Sequence, residues 1–65
     1  MITVNGKEEY LEKSITLLEF LEQRQYRPER IAVEKNGEII PKKMYAQTQV
    51  EQGDKLEVVS FVGGG

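Results

Sequence analysis

The 65-residue chain contains no cysteine, no histidine and no tryptophan. Without cysteine there are no disulfides, no thiol nucleophile and no thiolate metal ligand; without histidine there is no imidazole ligand and not the usual general base of neutral-pH catalysis. A self-contained enzyme site and a resident metal are therefore not expected, and the fold has to rest on packing alone. No apolar run approaches membrane-spanning length, and the start Met1-Ile2-Thr3-Val4-Asn5-Gly6-Lys7 lacks the basic beginning and long apolar stretch of a secretory signal. We expect a cytoplasmic protein with no membrane partner. An excess of positive charge is missing too. Nine Lys+Arg stand against 11 Asp+Glu, and the longest basic run is the pair Lys42-Lys43, so no phosphate-tracking stripe exists and nucleic acid is not an expected partner.

What is present suffices for one small core. Apolar residues make up 38% of the chain, and a chain of this length buries roughly 60% of the surface it exposes when unfolded. A single domain follows, expected over residues 1–61, with residues 62–65 as a flexible glycine-rich tail.

Alternation of Ile2 and Val4 with Thr3 and Asn5 describes a half-buried strand. Asn5-Gly6 supplies the left-handed dihedrals of a two-residue turn, which makes residues 1–12 a hairpin. Thr16-Leu17-Leu18-Glu19 reads as a capping box, with Ile15 and Phe20 at the two positions of a hydrophobic staple. Leu17, Leu18 and Leu21 share one helical face while Glu19, Glu22 and Gln23 point to water. The helix is expected to stop near Tyr26, ahead of Pro28. A second hairpin runs through Ile31 and Val33, turns at Asn36-Gly37 and returns along Glu38-Ile39-Ile40 to Pro41. Segment 42–49 has no sustained period and is expected to form a short turn or a single helical turn in which Met44 or Tyr45 tucks under the sheet. Gly53-Asp54 turns the chain into a last strand, Lys55 to Phe61. One helix between two hairpin-like units lies across one face of a small sheet. If the first and last strands pair in parallel at its centre, the arrangement is a β-grasp: an α+β, ubiquitin-like fold with a mixed five-stranded sheet.

The last strand is out of phase with itself. Leu56 and Val58 take one face and Val59 and Phe61 the other, and one helix cannot cover both. Val59 and Phe61 then form a partner surface on the open face, unless the 42–49 loop covers them or a bulge shifts the register. The chain ends in Gly63-Gly64-Gly65, which has no side chains to prevent it from extending into a narrow channel, although an ordinary chain end fits the same glycines. The reactive group of that end is the terminal carboxylate of Gly65. Ser14 and Ser60 have no neighbouring base to activate them. Glu19, Glu22, Glu51, Asp54 and Glu57 read as solvated charge, with pairing to basic groups on an activating enzyme as the alternative, and Tyr10, Tyr26 and Tyr45 as core or sheet-edge aromatics.

Taken in order, Asn5-Gly6, Thr16-Leu17-Leu18-Glu19-Phe20-Leu21, Ile31-Ala32-Val33-Glu34, Asn36-Gly37-Glu38-Ile39-Ile40-Pro41, Gly53-Asp54 and Phe61-Val62-Gly63-Gly64-Gly65 resemble the ThiS family of thiamine-pathway sulfur carriers over nearly the whole chain. The resemblance implies a β-grasp carrier that is not itself an enzyme and binds no cofactor. A ThiF-like enzyme would use ATP and magnesium to adenylate Gly65. Sulfur from a donor such as a cysteine desulfurase would then convert Gly65 to a thiocarboxylate, and thiazole synthase, ThiG, would consume it. Gly63 and Gly64 would enter the partners' active sites, while Val59, Phe61 and Val62 would help dock the sheet face. The small subunit of molybdopterin synthase shares this fold and ending, as does a ubiquitin-like modifier that ends as an amide on a target lysine. A non-covalent binding module with a passive tail is the remaining class.

Overall fold

The computed structural model describes residues 1–61; the expected tail 62–65 lies outside them. In chain order the elements are β1 (Ile2–Val4), β2 (Lys7–Glu9), β3 (Ile15–Thr16), α1 (Leu17–Gln23), a 3-10 turn (Pro28–Arg30), β4 (Ile31–Lys35), β5 (Glu38–Ile40), a second 3-10 turn (Lys42–Met44), β6 (Gln49–Val50) and β7 (Lys55–Ser60). Both expected hairpins form. Asn5 and Gly6 have φ of 51° and 84°, and Asn36 and Gly37 have 53° and 87°, the paired left-handed conformations of a type I′ turn.

The main sheet has the order β2-β1-β7-β4-β5. β1 and β7 run parallel, with Thr3 opposite Lys55, and the other pairs are antiparallel. This is the β-grasp, with the first and last strands adjacent at the centre. α1 covers one face. Its buried Leu17, Phe20 and Leu21 meet Ile2, Val4, Ile31, Val33, Leu56 and Val58 from the sheet, and Leu11, Tyr45 and Val50 close the edges. Each fully buried side chain of this kind contributes about 1.5–3 kcal/mol.

The helix begins where the capping box places it. The Glu19 amide donates to Thr16 Oγ1 at 3.1 Å, and the Thr16 amide donates to Glu19 Oε1 at 3.1 Å. Ile15, just before the cap, packs against the core. The helix ends at Gln23, earlier than expected, because Gln25 adopts φ 65°. The Gln25 amide then donates to Glu22 O at 3.0 Å and the Tyr26 amide to Leu21 O at 2.9 Å, a Schellman closure. Pro28 begins the 3-10 turn that follows rather than stopping the helix.

A second, two-stranded sheet of β3 and β6 was not expected; it sets Ile15 opposite Val50 and Thr16 opposite Gln49. Its origin is the segment after Pro41. Tyr45 is buried while Met44 stays partly exposed, so of the two candidates it is the tyrosine that tucks under. This docks the segment against the start of α1, where the Leu17 amide donates to Thr48 O at 2.7 Å and the Leu18 amide to Tyr45 O at 3.0 Å. Two of the first-turn amides that a helix leaves unpaired are thereby satisfied from the main chain.

Asp54 is buried, not solvated. Its carboxylate accepts from the Glu51 amide at 2.8 Å and from Asn36 Nδ2 at 3.1 Å, with Lys35 Nζ at 3.6 Å, so it ties the Gly53 turn to the second hairpin. Tyr10 is exposed, at the end of the first hairpin, whereas Tyr26 packs against the core edge.

Candidate functional site

β7 is the strand that leads to the chain end, and its last half outruns β1, which stops at Val4. The Asn5 side chain continues the pairing that β1 leaves off. The Val58 amide donates to Asn5 Oδ1 at 2.7 Å, and Asn5 Nδ2 donates to Val58 O at 3.1 Å. On the opposite edge the Phe61 amide donates to Arg30 O at 2.8 Å. The start of β7 is held in the same manner by the other turn: the Lys55 amide donates to Asn36 Oδ1 at 2.9 Å and the Asn36 amide to Lys55 O at 2.8 Å. Both asparagines therefore act twice, as turn residues and as clamps on the central strand. From the sequence only the turns are legible. The signal for the clamps was asparagine itself, whose side chain offers a donor and an acceptor together.

The alternation expected in β7 is observed. Leu56 and Val58 enter the core, while Val59 and Phe61 are 59% and 56% exposed. Their exposure shows that the 42–49 segment does not cover them; the Lys42 ammonium lies 5.8 Å from the centre of the Phe61 ring while donating to Glu29 O at 3.1 Å. Pairing of β4 with its neighbours sets Ala32 beside Val59, and Glu34 between Glu57 and Ile39. Ile39 is 75% exposed. The uncovered face thus carries an apolar band of Val59, Ala32 and Ile39, with Phe61 where the described chain ends. Val62, Gly63, Gly64 and Gly65 lie outside the described residues. Of the other acidic candidates, Glu19 closes the capping box, and Glu22 and Glu51 are exposed.

Elsewhere the surface offers less chemistry. A cleft beside α1 is lined by Tyr10, Ile15, Phe20 and Arg24, but Arg24 is engaged with Glu9 and lies 4.5 Å over the Phe20 ring. Among the described residues no cluster of acidic side chains could hold a metal, and no helix is long and apolar enough to cross a membrane.

The family model of the ThiS family matches residues 2–65, glycine tail included. The chain belongs to the ThiS family. Such a chain is a carrier rather than a catalyst. Over its full length it is 36% identical to the sulfur carrier protein ThiS of Bacillus subtilis, all of which it covers. It is 44% identical over 64 residues to a thiazole synthase of Paramagnetospirillum magneticum; that match takes in 98% of this chain but spans only 20% of the relative. Among solved structures, the crystal structure of the thiamine biosynthesis protein ThiS from Geobacter metallireducens superposes with a TM-score of 0.85 at 34% identity, covering 98% of this chain and 97% of that one.

Proposed function

We propose that this ThiS-family chain carries sulfur for thiamine biosynthesis on the carboxyl group of Gly65. The observation that carries the reading is the family match, which runs through the last glycine in a sequence with no cysteine to bear sulfur. In the first step the Gly65 carboxylate attacks the α-phosphorus of ATP on a ThiF-like enzyme, where magnesium offsets the phosphate charge. An acyl-adenylate forms and pyrophosphate leaves. The terminal sulfur of a persulfide, supplied by a cysteine desulfurase or related donor, then attacks the acyl carbon and AMP leaves. A protein thiol cleaves the resulting acyl disulfide, forming a disulfide with the donor sulfur and releasing the Gly65 thiocarboxylate. Thiazole synthase takes the sulfur from it and returns the carboxylate.

The chain's own residues bind and position in this cycle. Gly63 and Gly64 give a tail without side chains that can lie close to a bound nucleotide. Val59, Phe61 and Val62 dock the sheet face, an assignment supported by the exposure of Val59 and Phe61 on β7. The P. magneticum relative supports thiazole synthase as the consumer, because a protein of that name contains a stretch matching nearly all of this chain.

Intact-mass analysis tests the reading. The protein is incubated with ATP, a ThiF-like enzyme and a persulfide donor, with the chain lacking Gly65 as control. The expected result is a mass gain matching replacement of one oxygen by sulfur, absent from the control. An unchanged mass with an active enzyme and donor refutes it. Amide conjugates on other proteins that depend on Gly65 would identify a modifier instead.

A further inference from the structure

On the uncovered face the register places Glu34 of β4 directly opposite Glu57 of β7. Glu34 is exposed and Glu57 half-buried. Like charges facing each other across an antiparallel pair destabilise the sheet. The ion pairs among the described residues are Arg24 with Glu9 and Lys35 with Asp54, and neither relieves this one. Ile39 stands on the far side of Glu34, and Ala32 with Val59 forms the next row on the same face. A repulsive pair thus sits within an apolar band that nothing in the described chain covers.

We propose that this face receives a protein partner that lays apolar side chains on Ile39, Ala32 and Val59 and inserts one arginine or lysine between Glu34 and Glu57. The proposal rests on the reading that the face docks the enzyme acting on Gly65, and it states the chemistry that enzyme brings. Cross-strand Cβ atoms lie about 4.5–5.5 Å apart, a spacing that one guanidinium, with five N–H donors in a planar fork, bridges. The inserted cation relieves the repulsion between the two carboxylates, so part of its cost in the free chain returns as affinity. Charge complementarity also selects the occupant. A second copy stacked about a two-fold axis through this patch would bring four carboxylates together, and nucleic acid or an anionic membrane would meet the same repulsion.

The test uses the full chain and the ThiF-like adenylating enzyme of the same organism. Pyrophosphate exchange and Kd are measured at low and high salt for the parent, Glu57→Lys and the double variant Glu34→Gln/Glu57→Gln. Both variants are expected to melt at a higher temperature than the parent, because they relieve the cross-strand repulsion. They are also expected to bind on the order of tenfold more weakly and to lose most of the salt dependence. Weaker binding by a more stable protein cannot be assigned to misfolding. Unchanged Kd and salt slope in both variants, with exchange intact, overturn the proposal and leave the reading of Gly65 standing. Variants no more stable than the parent also overturn it, since the repulsion is then absent. A parent chain that supports no exchange defeats the reading and the proposal together.

Discussion

Replacing Asn5 by glycine isolates the clamp on β7 from the turn that carries it. Glycine keeps the φ of 51° that the turn requires, so the hairpin survives, and only the amide side chain is lost. Two hydrogen bonds disappear, from the Val58 amide at 2.7 Å and to the Val58 carbonyl at 3.1 Å. Each contributes about 0.5–1.5 kcal/mol net, more where a part-buried backbone group is left unpaired. Glycine gains a little at positive φ and loses more entropy on folding. The net expectation is a loss of about 2 kcal/mol, or roughly 8–16 °C in melting temperature for a domain of this size. Urea unfolding gives the free energy, and amide exchange at Val58 shows where it was lost: protection there should fall more than at Val33, in the core of β4. A glycine variant within 0.5 kcal/mol of the parent, a threshold of about the size of surface effects, with Val58 protection intact would show that the Asn5 side chain does not clamp β7.

Two further expectations follow from the packing. Gln25→Gly should stabilise the chain by about 0.5–1 kcal/mol, because Gln25 holds φ 65° at the helix end where glycine meets no steric penalty; urea unfolding measures it, and a loss of stability would contradict the Schellman assignment. Burial raises the Tyr45 hydroxyl above its ordinary pKa of about 10. The folded state therefore favours the neutral phenol, so this contribution to stability is whole below that pH and is lost as pH rises through the folded-state value. Tyr45→Phe should remove that part of the alkaline loss, and superimposable stability-versus-pH curves for the two proteins would exclude it.

Features that were legible in the sequence are those whose cause is local. Asn-Gly at two places, a threonine three residues before a glutamate, and the phase change between Val58 and Val59 each depend on a few neighbouring residues, and each appears as expected. β3 and β6 were missed because strands of two residues have no period to detect, and they pair only because Tyr45 docks the second segment beside the helix start. Asp54 was misread because carboxylates are exposed by default, and its two amide donors come from Glu51 and the distant Asn36. The facing of Glu34 and Glu57 is likewise invisible until the register of β4 on β7 is known. The outward Val59 and Phe61 could be read from the strand alone; the charges beside them could not.

The clamps on β7 bear on the proposed chemistry through reach. Four residues separate Phe61 from the chain end, and fully extended they span at most about 13–14 Å. If Gly65 is the reacting residue, as proposed, an enzyme that holds this sheet face places its reacting phosphorus or sulfur within that distance of Phe61. Slack at the root of so short a tether passes directly to its tip, and displacement of about 1 Å at a reacting centre can cost a hundredfold in rate. Phe61 is held by the hydrogen bond its amide donates to Arg30 O, and the strand before it by Asn5 at Val58. The Asn5→Gly chain should therefore form thiocarboxylate more slowly even at temperatures where it is fully folded. A variant that keeps the clamps but lengthens the tail by two glycines before Gly65 should show the complementary defect, normal docking with a misplaced end.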